Sequence, residues 1–224
     1  MGSKAIDIYY YSPSPPSRAV LMLMKALGLE HNIKITNVVI GESKKPEFIK
    51  MNPLHTIPLI TDNDWHLYDS HVIMQYLVDK YAKDDSLYPK DLKKRAIVNL
   101  RLFFDACYLF PKFGAYHAPT LYSGIAPSEE NAKAMDEVLM HLDHFLEENK
   151  YTAGSHLTIA DFAIIPTIAT IDACGSADLT KYPNIRLWYR RTKSEMSAFG
   201  YEEVNQAGSE VFAQFYKTKL SAIQ

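Results

Sequence analysis

Apolar and polar positions change their period several times along the chain, and each change predicts an element boundary. Ile6, Ile8 and Tyr10 alternate with Asp7, Tyr9 and Tyr11, the pattern of a strand with one more deeply buried face. The alternation stops at Ser12-Pro13-Ser14-Pro15-Pro16, because proline offers a ladder no N–H and holds the residue before it extended. This predicts Ser12, Ser14 and Pro15 on an exposed turn, with Pro16 opening a helix. Ala19, Val20, Leu23, Met24 and Leu27 then recur at helical spacing, and Gly28 is placed to end that helix. Ile33, Ile35, Val38 and Val39 predict a second strand within residues 32–40, so the chain opens β-α-β, a unit that implies parallel pairing. A polar loop from Gly41 leads into a short helix stopped by Asn52-Pro53. Residues 54–61 predict a third strand entered through Ile57-Pro58, and Asp62-Asn63-Asp64 turns it back into an antiparallel fourth at 65–68. Val72, Ile73, Tyr76, Leu77 and Tyr81 mark a helix capped by Asp69 or Ser70. The predicted order is βαβαββα.

Residues 83–91 are charged, contain Pro89 and have no period, which predicts a linker between a first domain at 1–82 and a second at 92–224. Beyond it the pattern is helical throughout, so the second domain is predicted to be all-α. A long helix at 92–117 contains Pro111, which should kink it. Ser128 caps a helix over 128–149. Thr158 and Asp161 have the spacing of a capping box, flanked by Leu157 and Phe162 as a hydrophobic staple, and the helix they start, 159–173, is apolar almost all round and belongs in the core. Two weaker helices are predicted at 183–193 and 201–216.

Composition narrows the function. A net charge of -2 over 224 residues, without runs of like charge, offers no footprint for nucleic acid or an anionic membrane, so a small-molecule substrate is expected. Nothing approaches an apolar span of about 20 residues. Met1-Gly2-Ser3-Lys4 leads directly into the first strand without a signal peptide, and a cytoplasmic protein is expected. Cys107 and Cys174 lack CxxC spacing and read as reduced core residues, with neither a disulfide nor a metal role. Fifteen Tyr leave aromatic surface for a pocket. The apolar and aromatic positions Trp65, Met74, Leu100, Phe103 and Phe104 exceed what two such domains need internally and predict a dimer.

The candidate chemistry sits at the first loop. Ser14 is a hydroxyl at the end of a strand and the start of a helix, whose N-terminus favours anions; an unreactive Ser-Pro turn fits the same residues. The cap at Asp69-Ser70 is a second such site. Taken together, Ser14-Pro15-Pro16-Ser17-Arg18, Asn52-Pro53-Leu54-His55-Thr56-Ile57-Pro58, Asp69-Ser70-His71, Asp84-Asp85-Ser86-Leu87-Tyr88-Pro89 and Thr158-Ile159-Ala160-Asp161-Phe162 resemble, in order and spacing, the cytosolic glutathione transferases, and within them the insect delta and epsilon classes, with Ser-Pro-Pro the epsilon pattern. The resemblance covers the whole chain. It implies a thioredoxin-like N-terminal domain, an all-helical C-terminal domain, a homodimer, no metal, and glutathione as co-substrate for conjugation to hydrophobic electrophiles.

By the same resemblance Ser14 stabilises the glutathione thiolate. Ile57, beside a cis Pro58, pairs with the cysteinyl backbone. Ser70 takes the glutamyl carboxylate, Asp69 its ammonium, and His55 the glycine end. His71 belongs to the same expected glutathione site and stands where many delta enzymes have arginine and epsilon enzymes often have histidine. Ser43 stands where most members carry histidine, so one glutathione contact is missing or only partly replaced. Gly114 and Ala118 occupy positions where many epsilon enzymes place arginine and glutamate, which enlarges a hydrophobic substrate site bordered by Phe110, Phe113, His117, Leu121 and Tyr122. Pro16, Val38 and Phe212 complete that expected site. A glutathione-dependent carrier with little turnover is the other reading these departures allow. Thiol-disulfide exchange is disfavoured, because the first loop has serine where a redox enzyme needs cysteine.

Overall fold

The computed structural model describes residues 5–223; residues 1–4, read above as running straight into the first strand, lie outside them. Four strands, β1 (Ile6–Tyr10), β2 (His31–Ile35), β3 (Leu59–Asp62) and β4 (Trp65–Tyr68), form one sheet in the order β2-β1-β3-β4. β1 runs parallel to β2 and antiparallel to β3, and β4 returns antiparallel on β3. Ile6, Ile8 and Tyr10 are the buried face of β1, as the alternation requires. With α1 (Pro15–Ala26), α2 (Pro46–Met51) and α3 (Ser70–Tyr81) the order is the βαβαββα of a thioredoxin-like domain.

Several boundaries differ from expectation. β2 stops at Ile35, and residues 38–40 form a 3₁₀ turn capped by the Asn37 side chain. β2 is an edge strand that pairs only with β1, so once β1 ends at Tyr10 and Thr36 N–H has used the Tyr10 carbonyl at 2.9 Å, nothing remains to pair residues 37–40. β3 starts only at Leu59, since Pro58 has no N–H for a ladder. α1 begins at Pro15 instead of Pro16, and Pro15 is buried; a proline at the first helical position gives up only a donor that would be orphaned anyway. The run Ala19 to Met24 is buried on every side, because α1 is covered by the sheet on one face and by the C-terminal helices on the other.

The second half is helical: α4 (Leu92–Phe104), α5 (Phe110–Ala118), α6 (Glu129–Phe145), α7 (Ile159–Cys174), α8 (Pro183–Met196) and α9 (Ala207–Ser221). The predicted helix at 92–117 is interrupted upstream of its proline. A π turn at Asp105–Leu109 precedes α5, so that Pro111 falls in the first turn of a new helix where its missing donor costs little. Further π turns span Pro119–Ser123 and Tyr201–Gln206, the latter replacing the start of the last predicted helix.

α7 is buried almost throughout. Asp161 does more there than close its capping box. Its Oδ2 accepts from Thr158 N–H at 2.9 Å, while Oδ1 accepts from Thr152 N–H, Thr152 Oγ1 and Trp188 Nε1, each at 2.9 Å, so one buried carboxylate ties α7 to α8 and to the preceding loop. Cys174 is buried as expected, whereas Cys107, within the π turn, is exposed. Of the five positions that predicted a dimer, Trp65, Leu100 and Phe103 are exposed, while Met74 and Phe104 are core residues. Among the described residues no helix is long and apolar enough to cross a membrane.

Candidate active site

Ser14 is the N-cap of α1, with φ -78° and ψ 112°, and is half-buried. Its Oγ accepts from Ser17 N–H at 3.4 Å, and its carbonyl closes the first helical turn with Arg18 N–H at 3.1 Å. The backbone of this turn offers an anion little: Pro15 and Pro16 occupy the first two positions and have no N–H, and Ser17 N–H is already taken. The donor available to an anion at this cap is therefore the Ser14 hydroxyl itself, whose proton is not used when Oγ accepts. Tyr11 is half-buried, and its carbonyl accepts from Ser14 N–H at 2.9 Å.

The second element is the loop before β3. The Ile57–Pro58 bond is cis, Ile57 is half-buried and Pro58 buried. His55 is exposed, with φ 47°. The loop is braced by fully buried Asn52, whose Nδ2 donates to the Thr56 carbonyl at 2.9 Å and whose Oδ1 accepts from Leu54 N–H at 3.0 Å. Sequence reasoning saw Asn52 only as a helix stop; its place two residues before the loop was the available signal for an Asx-type brace.

At the third element Asp69, not Ser70, caps α3. Its Oδ1 accepts from His71 N–H at 3.0 Å and Val72 N–H at 3.2 Å. Asp69 does so at φ 71° and ψ 116°, a region that non-glycine residues seldom occupy and that marks functional sites when the surroundings enforce it. Ser70 is 7% exposed. The His71 ring is engaged on both sides: Nε2 lies 2.8 Å from Asp105 Oδ2 and Nδ1 3.4 Å from Asp69 Oδ1. Burial alone would lower the imidazole pKa, but the hydrogen bonds to Asp105 and Asp69, with their charges, hold it up at about 9. The hydrogen bond from His71 in turn holds Asp69 below the usual carboxylate range. Asp105 belongs to the π turn after α4, so this pair joins the two domains behind Asp69. It was missed in the sequence, where an acid inside the apolar run Phe103-Phe104-Asp105-Ala106 was the sign.

Ser43 has only 2% of its surface exposed, in a 3₁₀ turn at Glu42–Lys44. Among the expected hydrophobic positions, Pro16, Val38, Phe110, Gly114, Ala118, Leu121 and Phe212 are half-buried and Tyr122 is exposed. Phe113 and His117 depart from expectation and are buried. His117 Nδ1 pairs with the Phe113 carbonyl at 2.8 Å and Nε2 with Ser176 Oγ at 2.7 Å, and its ring packs on Phe113, Tyr116, Phe212 and Tyr216. Burial drives its pKa down to about 4, so it is a neutral core group behind the half-buried positions. A Cβ at Gly114 would meet nothing within 4 Å. Among the described residues no cluster of His, Cys, Asp or Glu is arranged to hold a metal.

Comparison with known proteins identifies the family. Residues 13–80 match the family described as glutathione S-transferase, N-terminal domain, and residues 126–191 the corresponding C-terminal domain. Glutathione S-transferase D7 of Anopheles gambiae is 40% identical over 213 residues, covering 95% of this chain and 97% of that protein. The chain belongs to the glutathione S-transferase family. A delta-class glutathione transferase of Nilaparvata lugens superposes with a TM-score of 0.91 at 45% identity, over 96% of this chain and 99% of that one. An epsilon-class glutathione S-transferase of the housefly, Musca domestica, does so with a TM-score of 0.90 at 39% identity, over 96% and 98%. As a glutathione transferase the chain is a transferase enzyme, and its family supports conjugation over carriage without turnover.

Proposed function

We propose that this transferase joins the glutathione thiolate to hydrophobic electrophiles, with Ser14 as the donor that keeps the sulfur anionic. The α1 N-cap carries this reading: Ser14 Oγ accepts from Ser17 N–H, which leaves its proton to donate outward, and two prolines leave no competing backbone donor. A free thiol has a pKa near 8.5, so the enzyme must favour the thiolate at neutral pH, and a preorganised donor beside a helix N-terminus does so. Glutathione would lie extended across the three elements, its glycine end at His55, its cysteinyl backbone against Ile57 next to Pro58, and its glutamyl end at Asp69 and Ser70. His71 then serves as the brace behind Asp69, and Ser43 is too deeply covered to replace a contact. The second substrate would rest on Pro16, Val38, Phe110, Gly114, Ala118, Leu121 and Phe212, with Tyr122 at the rim. A detoxifying role in the cytoplasm follows from that substrate class.

Ser70→Ala tests the placement. Losing a hydrogen bond to a charged carboxylate costs roughly 1.5–3 kcal/mol, so glutathione affinity should fall about 10–150-fold by calorimetry, while turnover of an aryl halide at saturating glutathione changes little. Equal affinity in Ser70→Ala would put the glutamyl end elsewhere. We further propose a homodimer through the face that exposes Trp65, Leu100 and Phe103. A monomer in sedimentation at micromolar concentration would contradict it.

A further inference from the structure

Arg18 is fully buried. It is held by neutral acceptors: Nη1 donates to the Asn205 carbonyl at 2.7 Å, and Nη2 to the Pro166 carbonyl at 3.2 Å and to Thr170 Oγ1 at 2.5 Å. Burial lowers its pKa to about 10, which still leaves it charged at neutral pH. A buried cation without a carboxylate partner is expensive, and such a group persists where its geometry is needed. The acceptors come from α7 and from the π turn before α9, while the backbone of Arg18 closes the turn that starts at Ser14. Against both the Arg18 side chain and the Ser12 backbone lies Gly208, the second residue of α9. A Cβ there would sit 2.5 Å from Arg18 Cδ and well inside van der Waals contact of the Ser12 carbonyl oxygen. α9 therefore touches the loop through bare backbone. Within the loop the Ser14 backbone is held by Tyr11 and Arg18, at 2.9 and 3.1 Å, but its side chain meets only Ser17 N–H, at 3.4 Å, and Pro13, Pro15 and Pro16 donate nothing.

We propose that Arg18 and Gly208 are positioning residues for Ser14: the C-terminal segment clamps the loop by anchoring the Arg18 side chain and by seating the backbone of α9 against the Ser12 carbonyl, and so sets where the Ser14 hydroxyl points. The inference rests on the reading of Ser14 given above. It explains why the C-terminal segment opens with a π turn, whose wider spacing leaves the Asn205 carbonyl facing α1. It also explains a glycine inside a helix, where glycine otherwise costs about 0.5–1 kcal/mol relative to alanine.

The test uses the full-length enzyme with bound glutathione, whose thiolate is followed by ultraviolet absorbance against pH, together with steady-state kinetics on an aryl halide. Gly208→Ala should push the Ser12 carbonyl aside, raise the pKa of the bound thiol and lower kcat at neutral pH by about 10–100-fold, the scale of a misplacement near 1 Å. KM for glutathione should stay within about twofold, because Asp69 and Ser70 are untouched. Arg18→Lys keeps the charge but loses the fork, should shift the thiol in the same direction, and decides the matter if Gly208→Ala does not fold. Ser209→Ala removes a bond to the Gln206 carbonyl at 2.8 Å without altering the Ser12 contact, and should lower only the unfolding midpoint. A thiol titration unmoved in both Gly208→Ala and Arg18→Lys, beside a shifted one in Ser14→Ala, overturns the clamp alone. An unmoved titration in Ser14→Ala overturns the clamp and the reading of Ser14 together.

Discussion

Ser14→Ala should lower turnover at neutral pH by about 10–1000-fold, the range for removing one preorganised donor from a developing or resident anion. Two donors compete for the sulfur, since Tyr11 directly follows β1 and carries a phenol. The backbone favours serine. Ser14 is the cap of α1, with its Oγ occupied only as an acceptor, so its proton is free to donate to a ligand. Tyr11 precedes the turn and contributes its carbonyl to hold Ser14 N–H in place. Without the hydroxyl the bound thiol should titrate at higher pH, so the kcat/KM profile of Ser14→Ala moves to the alkaline side and the deficit narrows as pH rises. Tyr11→Phe should leave the profile where it is. A profile that shifts in Tyr11→Phe and not in Ser14→Ala would transfer the role to the phenol.

What could be read from the chain depended on how local its cause was. The strand at 6–10, the Asp69 cap and the Thr158–Asp161 box rest on neighbours within four residues, so alternation, turn chemistry and capping rules reach them. The burial of α1 on all sides rests on helices more than a hundred residues away, and its sequence shows only an amphipathic helix with extra apolar positions. The early end of β2 is equally non-local, since Val38 and Val39 are good strand residues that lack a partner once β1 has turned at Pro13. His71 shows the limit most plainly. Its place after Asp69-Ser70 gives no sign of Asp105, 34 residues on, which only the fold brings within 2.8 Å. Aromatic spacing likewise could not separate Phe110 and Leu121, which keep open surface, from Phe113 and His117, which are packed behind them.

The His71–Asp105 pair should govern both the stability of the domain junction and its response to alkali. The side chains are 15% and 6% exposed, so this is a buried pair, and truncating one partner strands the charge of the other. His71→Ala should therefore cost about 3–5 kcal/mol in urea unfolding at pH 7. Adding Asp105→Asn to it should recover part of that loss, since a neutral amide is cheaper to bury than an unpaired carboxylate. The pH dependence has a definite sign. His71 is raised to about 9 in the folded chain against about 6.5 unfolded, so across that window the folded state binds more protons. The stabilisation is complete below about pH 6.5 and is lost as pH rises through 9. Cys174, pushed up to about 11 by burial, adds a loss of the same sign above pH 8.5, so the informative quantity is the difference between variants. In Asp105→Asn the main partner that raises His71 is gone and burial dominates, so the decline between pH 6.5 and 9 should flatten while the Cys174 contribution above it remains. Equal slopes for parent and Asp105→Asn across that window would mean that His71 holds no proton on account of Asp105.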